Sequence, residues 1–304
     1  MLKTLKRLVS QSRTAVVTPV HGVPKEGPPR IDVVTPFSEA DERFLPGSAN
    51  SILMQVNVKP VLHLVADGFE PGPVARQLVE LNPGRVKLYR NEENIGPYCS
   101  VMRVWDRMES DWYAVQDADD FSLPHRLQDA VHTLKERGAG LFGGAQEQGL
   151  DAGDMGDGDE FSLEHATGDS KNSPYQFSGE LAFITAPKTL VLHPTFVCNR
   201  EDFEGMNGYA GWRSGADCEF STRAFMCPAF GVEVRPHLHV IRRLRAASLS
   251  HSFEFGKDRS YNEWLQREMV TRFASFNSGK VNWSRYGELN RYARDMHKTP
   301  IVAE

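Results

Sequence analysis

Residues 112–127 read Trp112-Tyr113-Ala114-Val115-Gln116-Asp117-Ala118-Asp119-Asp120-Phe121-Ser122-Leu123-Pro124-His125-Arg126-Leu127. The first five residues are a short, mostly apolar run with aromatic and β-branched members, the pattern of a buried strand. That run passes directly into three carboxylates within four positions. In open α/β sheets, ligands bind beyond the carboxyl ends of the strands. Acids at such an end are therefore better site candidates than acids elsewhere.

Upstream, Ile31-Asp32-Val33-Val34-Thr35 reads as a strand stopped by Pro36. Val61-Leu62-His63-Leu64-Val65 reads as a second, closed by Asp67-Gly68, and Val86-Lys87-Leu88-Tyr89 as a third. Residues 40–55, 73–81 and 96–109 carry helical spacing between them, and a further helix is expected over 124–137. Strands alternating with helices predict an α/β fold with βαβ units and a largely parallel sheet. Downstream, Phe183-Ile184-Thr185 and Thr195-Phe196-Val197 are short strand candidates. Residues 216–226 look helical, Val232 to Val234 and His239 to Ile241 look extended, and Tyr261 to His297 forms a helical tail.

The chain has 304 residues, and 35 Lys and Arg against 40 Asp and Glu leave a net charge of −5. That acidic balance argues against nucleic acid as a partner, which needs a basic field. Cys99, Cys198, Cys218 and Cys227 form no Cys-x-x-Cys pair, so reduced thiols in a cytoplasmic protein are expected. No apolar run approaches the ~20 residues of a spanning helix. Leu2, Leu5, Leu8 and Val9 lie at helical spacing among Lys3, Lys6, Arg7 and Arg13, which leaves open a peripheral contact with an anionic membrane. The expected organisation is a basic leader and Pro/Gly-rich arm over 1–30, a main domain over 31–255 divided near 120, and a helical tail over 256–304.

Gly138 to Gly143 spells G-x-G-x-x-G, but it follows a helix and opens a strand, the reverse of a dinucleotide fingerprint. The acidic, Gly-rich residues 149–174 lack the ligand spacing of a calcium loop and read as a surface loop. In a strand-end turn, Asp117 and Asp119 can converge on one divalent cation. Hard Mg²⁺ or Mn²⁺ commonly bridges such carboxylates to substrate phosphates. The plain alternative is an acidic turn, or Asp120 capping the next helix.

At this point the chain resembles family 2 glycosyltransferases, which have the GT-A fold. Residues 113–127 resemble the family's strand, aspartate motif and following Pro-x-Arg-Leu, with Pro124, Arg126 and Leu127 in place. Val33 to Phe37 resembles the opening strand, and Ser51-Ile52-Leu53-Met54-Gln55 the Ser-Ile-Leu-x-Gln helix. Val65-Ala66-Asp67-Gly68 is similar to Val-Asp-Asp-Gly, and Asn94-Ile95-Gly96 to Asn-x-Gly. Phe203 to Tyr209 and Gly215 to Phe220 resemble the two late motifs.

The resemblance implies a mostly parallel central sheet and an inverting transfer from a nucleotide-diphosphate sugar, with UDP the default. Thr35 and Asp67 would hold the nucleoside. Asp117 and Asp119 would bind diphosphate and Mn²⁺ or Mg²⁺, and Asp217 would be the general base. The acceptor could be a saccharide, a lipid-linked saccharide or a protein. Departures are Phe37-Ser38 for Tyr-Asn, Ala66 and Ala216 for acids, and Arg245 where a His usually precedes Ser-x-Ser. Arg245 could meet the diphosphate, His251 the metal, and His193 the acceptor.

Three rival readings have less support. An aspartate-nucleophile phosphatase needs Thr or Val where Phe121 stands. A nucleotidyltransferase needs a Gly-rich basic loop where Pro36-Phe37-Ser38-Glu39 stands. A degenerate binding protein would explain Ala66 and Ala216, but not the retention of Asp117, Asp119 and Asp217.

Overall fold

The computed structural model describes residues 27–150, 191–227, 230–244 and 302–303. The basic leader, nearly all of the 149–174 segment, the 183–185 strand candidate, the tail helix, Arg245 and His251 lie outside the described residues. One nine-stranded sheet runs in the order β5-β8-β6-β7-β4-β1-β2-β3-β9. Its strands are β1 Arg30–Phe37, β2 Lys59–Asp67, β3 Val86–Asn91, β4 Trp112–Val115, β5 Phe121–Ser122, β6 Leu141–Leu150, β7 Val197–Asn199, β8 Val232–Leu244 and β9 Val302–Ala303. The block β4-β1-β2-β3 is wholly parallel, and β6 pairs parallel with β8.

The parallel block is covered on both faces, which is why its strands read as continuous apolar runs. Successive residues of β1 feed different cores. Val34 joins Val65, Trp105, Tyr113, Phe203 and Phe220, whereas Val33 joins Leu45, Ile52, Leu64, Leu127 and Phe142. The helices are α1 Leu45–Leu53, α2 Pro73–Leu81, α3 Pro97–Arg103, α4 Arg126–Arg137, α5 Arg200–Gly205 and α6 Ala216–Met226. Pro73 and Pro97 each open a helix, where a missing N–H costs nothing.

A buried polar pair pins the start of the block. Asp32 Oδ1 meets His63 Nε2 at 2.8 Å, and Asp32 Oδ2 accepts from the amides of Glu109 at 2.8 Å and Ser110 at 2.7 Å. Gly138 ends α4 in the left-handed region at φ 63°, and a side chain at Gly140 would strike the Phe230 ring. These glycines serve a helix end and a close approach, consistent with the strand-opening context read from the sequence. No helix among the described residues is long and apolar enough to cross a membrane.

Several boundaries differ from the sequence reading. β1 continues through Pro36, because β4 pairs only Asp32 to Val34 and leaves β2 as the sole neighbour there. The 40–55 helix begins as a 3₁₀ turn, Glu39–Phe44, whose entry is fixed by reciprocal bonds between Ser38 and Asp41. The 96–109 helix ends at Arg103, and a 3₁₀ turn, Trp105–Arg107, then drives Trp105 into the core. Thr195 lies in a 3₁₀ turn, His193–Thr195, and the strand starts at Val197. The fragments 232–234 and 239–241 are one strand, β8. Its polar stretch hid it in the sequence, and the register against β6 shifts near Ala145.

Candidate active site

Beyond β4 the chain turns through Gln116 to Asp120, and buried side chains hold that turn. Gln116 Nε2 donates to Asp120 O at 2.8 Å and to Ser48 Oγ at 3.2 Å. Its Oε1 accepts from Ser122 Oγ at 2.6 Å and Arg126 Nη1 at 2.8 Å. Arg126 is fully buried and also donates to Ser122 Oγ at 2.7 Å, Val115 O at 2.5 Å and Phe196 O at 3.2 Å. Ser48 Oγ donates to Asp117 O at 2.9 Å, and Ser51 Oγ accepts from Ser122 N at 3.0 Å. Gln55 Nε2 donates to Leu123 O at 2.7 Å, while its Oε1 accepts from Leu127 N at 2.9 Å. The serines and glutamine of α1 and its end therefore clamp the acid turn to Pro124-His125-Arg126-Leu127.

This clamp leaves Asp117 and Asp119 partly exposed and Asp120 buried. Asp120 does not cap α4; its Oδ1 accepts from Arg243 N at 2.8 Å. Its Oδ2 has no partner among the described residues. Burial, followed by the charges of Asp117 and Asp119, pushes the Asp120 carboxyl well above its ordinary range. The Arg243 guanidinium lies over Phe44 at 4.7 Å and Phe121 at 5.4 Å, and its Nε donates to Asp119 O at 3.2 Å.

Asp67 closes β2, buried and already engaged. Its Oδ1 accepts from Asn91 Nδ2 and Ile95 N, both at 3.0 Å, and its Oδ2 from Gly96 N at 2.8 Å. It thereby fixes the Asn94-Ile95-Gly96 turn that launches α3. Arg213 holds the same turn from the other half, donating to Asn94 O at 3.0 Å and Asn94 Oδ1 at 2.6 Å. Thr35, at the end of β1, is buried with no partner for its hydroxyl among the described residues. Such a group calls for an explanation, and a ligand atom is one.

Asp217 sits in the first turn of α6, where the helix dipole favours a carboxylate. Its Oδ1 accepts from Tyr98 Oη at 2.5 Å. The Tyr98 ring packs on His193 at 5.3 Å and on Tyr209 at 5.2 Å. His193 Nε2 meets Tyr209 Oη at 2.9 Å, and Tyr209 Oη meets Tyr113 Oη at 3.1 Å. Behind them, buried Arg223 pairs with Glu219 at 2.8 Å and donates to Met206 O and Gly208 O, which sets the turn before Tyr209. Burial, then the charge of Asp217 and, further down, that of Asp117, raises the Tyr98 hydroxyl well above its ordinary value.

A model of the family described as "Glycosyl transferase family 2" matches residues 32–205, more than half of the chain. The chain belongs to this family. No curated protein matches it significantly. Among solved structures, the mannosyltransferase PcManGT from Pyrobaculum calidifontis, in complex with GDP-Man and Mn²⁺, is 14% identical with a TM-score of 0.56, over 92% of this chain and 71% of that one. S. aureus TarS 1-349 in complex with UDP-GlcNAc is 15% identical with a TM-score of 0.52, over 85% of this chain and 75% of that one. The chain spans 37% of the longer TarS chain. At these identities the likeness is one of fold, and that fold is the expected GT-A type. Through its family, the chain is a glycosyltransferase.

In this glycosyltransferase, no group of three or more His, Cys, Asp or Glu among the described residues could hold a metal unaided. The donor set nevertheless fits Mn²⁺ or Mg²⁺. Such ions are commonly held by one or two carboxylates plus substrate phosphates, and Asp117 and Asp119 stand partly exposed on one turn. The sequence reading assigned no role to Tyr98, Tyr209, Gln116 or Arg243. Gln116 and Tyr209 stand inside the quoted motifs and Tyr98 two residues beyond Asn94-Ile95-Gly96, whereas Arg243 carried no signal.

Proposed function

We propose that this glycosyltransferase moves a sugar from a nucleotide-diphosphate donor, with UDP as the nucleotide, to an acceptor hydroxyl by single displacement with inversion. Asp217 takes the proton of the acceptor O–H while that oxygen bonds to the anomeric carbon. The bond from that carbon to the diphosphate oxygen breaks, and the diphosphate leaves with the electron pair. Asp117 and Asp119 would hold Mn²⁺ or Mg²⁺, which supplies positive charge to the departing diphosphate. The unpartnered hydroxyl of Thr35 and the remaining acceptor capacity of Asp67 would meet the nucleoside. UDP-GlcNAc on TarS and GDP-Man on PcManGT support a nucleotide-sugar donor. The same reading puts the chain in a reducing cytoplasm, with its four cysteines as thiols.

The observation that supports this reading is the bond from the Tyr98 hydroxyl to the partly exposed Asp217. It links the proposed base in α6 to α3, the helix that opens beside the Gly96 amide held by Asp67. The test is thermal unfolding with UDP or GDP, each with and without Mn²⁺. A nucleotide at a hundred times its dissociation constant adds ~2.7 kcal/mol of stability. A UDP shift that needs Mn²⁺ and vanishes in Asp119→Ala is expected. No shift with either nucleotide would turn the reading to a non-catalytic binding protein.

A further inference from the structure

We infer that Tyr98 is a positioning residue that fixes one oxygen of Asp217 and leaves the other to the acceptor hydroxyl, an assignment that rests on Asp217 being the base. A base held by a third group takes its proton along one direction. Tyr98 supplies such a group through a 2.5 Å bond to Oδ1. The neighbour of Oδ2 is the Cys218 thiol at 4.0 Å, a weak and distant donor. That oxygen is the one left to receive a proton.

The hydroxyl is itself held from several elements. Pro97 opens α3 immediately after the Gly96 amide that bonds Asp67, so the backbone at Tyr98 is tied to the end of β2. His193 and Tyr209 flank the ring, and Tyr209 is anchored by His193 and Tyr113. Among the described residues, the charged or titratable groups around the pair are Asp117 from the acid turn, Cys218 and Asp217 from α6, His193 from the 3₁₀ turn, and Tyr209. Burial, with the Asp217 carboxylate bonded to it, raises the phenol well above its ordinary value, so it acts only as a donor.

Removing this bond frees the carboxylate to rotate, and misplacement of about 1 Å costs about a hundredfold in rate.

The first measurement needs no substrate. In protein carrying ¹³C at tyrosine Cζ, the Tyr98 resonance is assigned by its loss in Tyr98→Phe. It should move on going to acid pH, and that movement should vanish in Asp217→Asn. A Tyr98 resonance that ignores acid pH overturns the proposal. The second measurement is UDP release from UDP-GlcNAc with Mn²⁺ and water as acceptor. Tyr98→Phe, which keeps the ring, should lower kcat about ten- to a hundredfold and leave the donor KM unchanged. Tyr89→Phe removes a phenol hydroxyl from β3 and should leave kcat in place. A wild-type kcat in Tyr98→Phe, or the same fall in Tyr89→Phe, overturns the assignment. A wild-type rate in Asp217→Asn overturns the base reading itself, whatever Tyr98 does.

Discussion

Replacing Arg126 with methionine tests whether the acid turn depends on its buried clamp. The guanidinium makes four contacts, with Gln116, Ser122, Val115 and Phe196. At about 1.5 kcal/mol each, the low end for a charged donor, they are worth about 6 kcal/mol. Burial works against them. It brings the guanidinium well below its ordinary value, down to about 10, opposed by Asp117 and Asp120, an unfavourable transfer of about 3 kcal/mol that methionine avoids. Some acceptors also keep partners, since Ser122 still donates to Gln116 and Val115 N still reaches Phe196 O. The net loss should be about 3 kcal/mol, or about 6 °C in Tm at ~2 °C per kcal/mol for a chain of this size. Urea unfolding of both proteins measures it. A loss under about 1 kcal/mol would show that desolvation cancels the bonds and that the clamp lies elsewhere. A second readout comes from charge. Without Arg126, Asp117 and Asp120 lose a nearby cation, so Mn²⁺ should stabilise the variant more than the wild type. Equal stabilisation would mean that the acid turn does not feel this guanidinium.

Two further perturbations follow from the fold. Burial raises the Asp32 carboxyl, but His63 and the Ser110 amide outweigh it and hold it well below its ordinary value. Its stabilising contribution is therefore complete above about pH 4, the unfolded value, and is lost as pH falls toward the folded value. Urea midpoints from pH 6 to 3 should fall less steeply in Asp32→Asn, and parallel falls would refute the pairing. Gly68 has φ +83°, and a Cβ there would lie 2.3 Å from Asn94 N, whereas Gly84 has φ +74° and open space. Gly84→Ala should cost about 1 kcal/mol of backbone strain, and Gly68→Ala clearly more, with weaker UDP binding as the Asn94 turn moves. Equal costs in thermal unfolding would mean that the turn is loosely seated.

The parallel block was legible because burial on both faces leaves continuous β-branched runs, as in Ile31 to Thr35. β6 and β8 were harder to read. Gly143, Gly144, Gln146 and Glu147 carry no strand pattern, and β8 passes through Arg235, Pro236 and His237. Their pairing is set by each other, across about 90 residues of chain, and by packing such as His239 against Phe142. At the site, the acids at strand ends were legible from position alone. The hydroxyl of Tyr98 was not, because its partner lies 119 residues away. Nor did the motifs reveal how they divide. Ser48, Ser51, Gln55, Gln116 and Arg126 direct their polar atoms into the turn, while Asp117, Asp119 and Asp217 remain partly exposed.

That division bears on the departures from the family pattern, which in sequence look like scattered losses. Phe37 and Ala66 are register partners across β1 and β2. Both are buried in the same core, with Ala75 and Ala118, and Phe37 meets Phe69 edge-on at 5.3 Å. Two apolar residues therefore stand side by side in one core where the family pattern has polar ones. A carboxylate restored at Ala66 alone would be buried against Phe37 without a donor, at a cost of several kcal/mol. Ala216 is likewise fully buried in the other core, one residue before Asp217. The buried glutamate of α6 is Glu219, satisfied by Arg223. These departures are internal to the two cores. They leave the partly exposed Asp117, Asp119 and Asp217 on their supports, so substitutions that look like losses in the sequence do not reach the three carboxylates on which the proposed transfer depends.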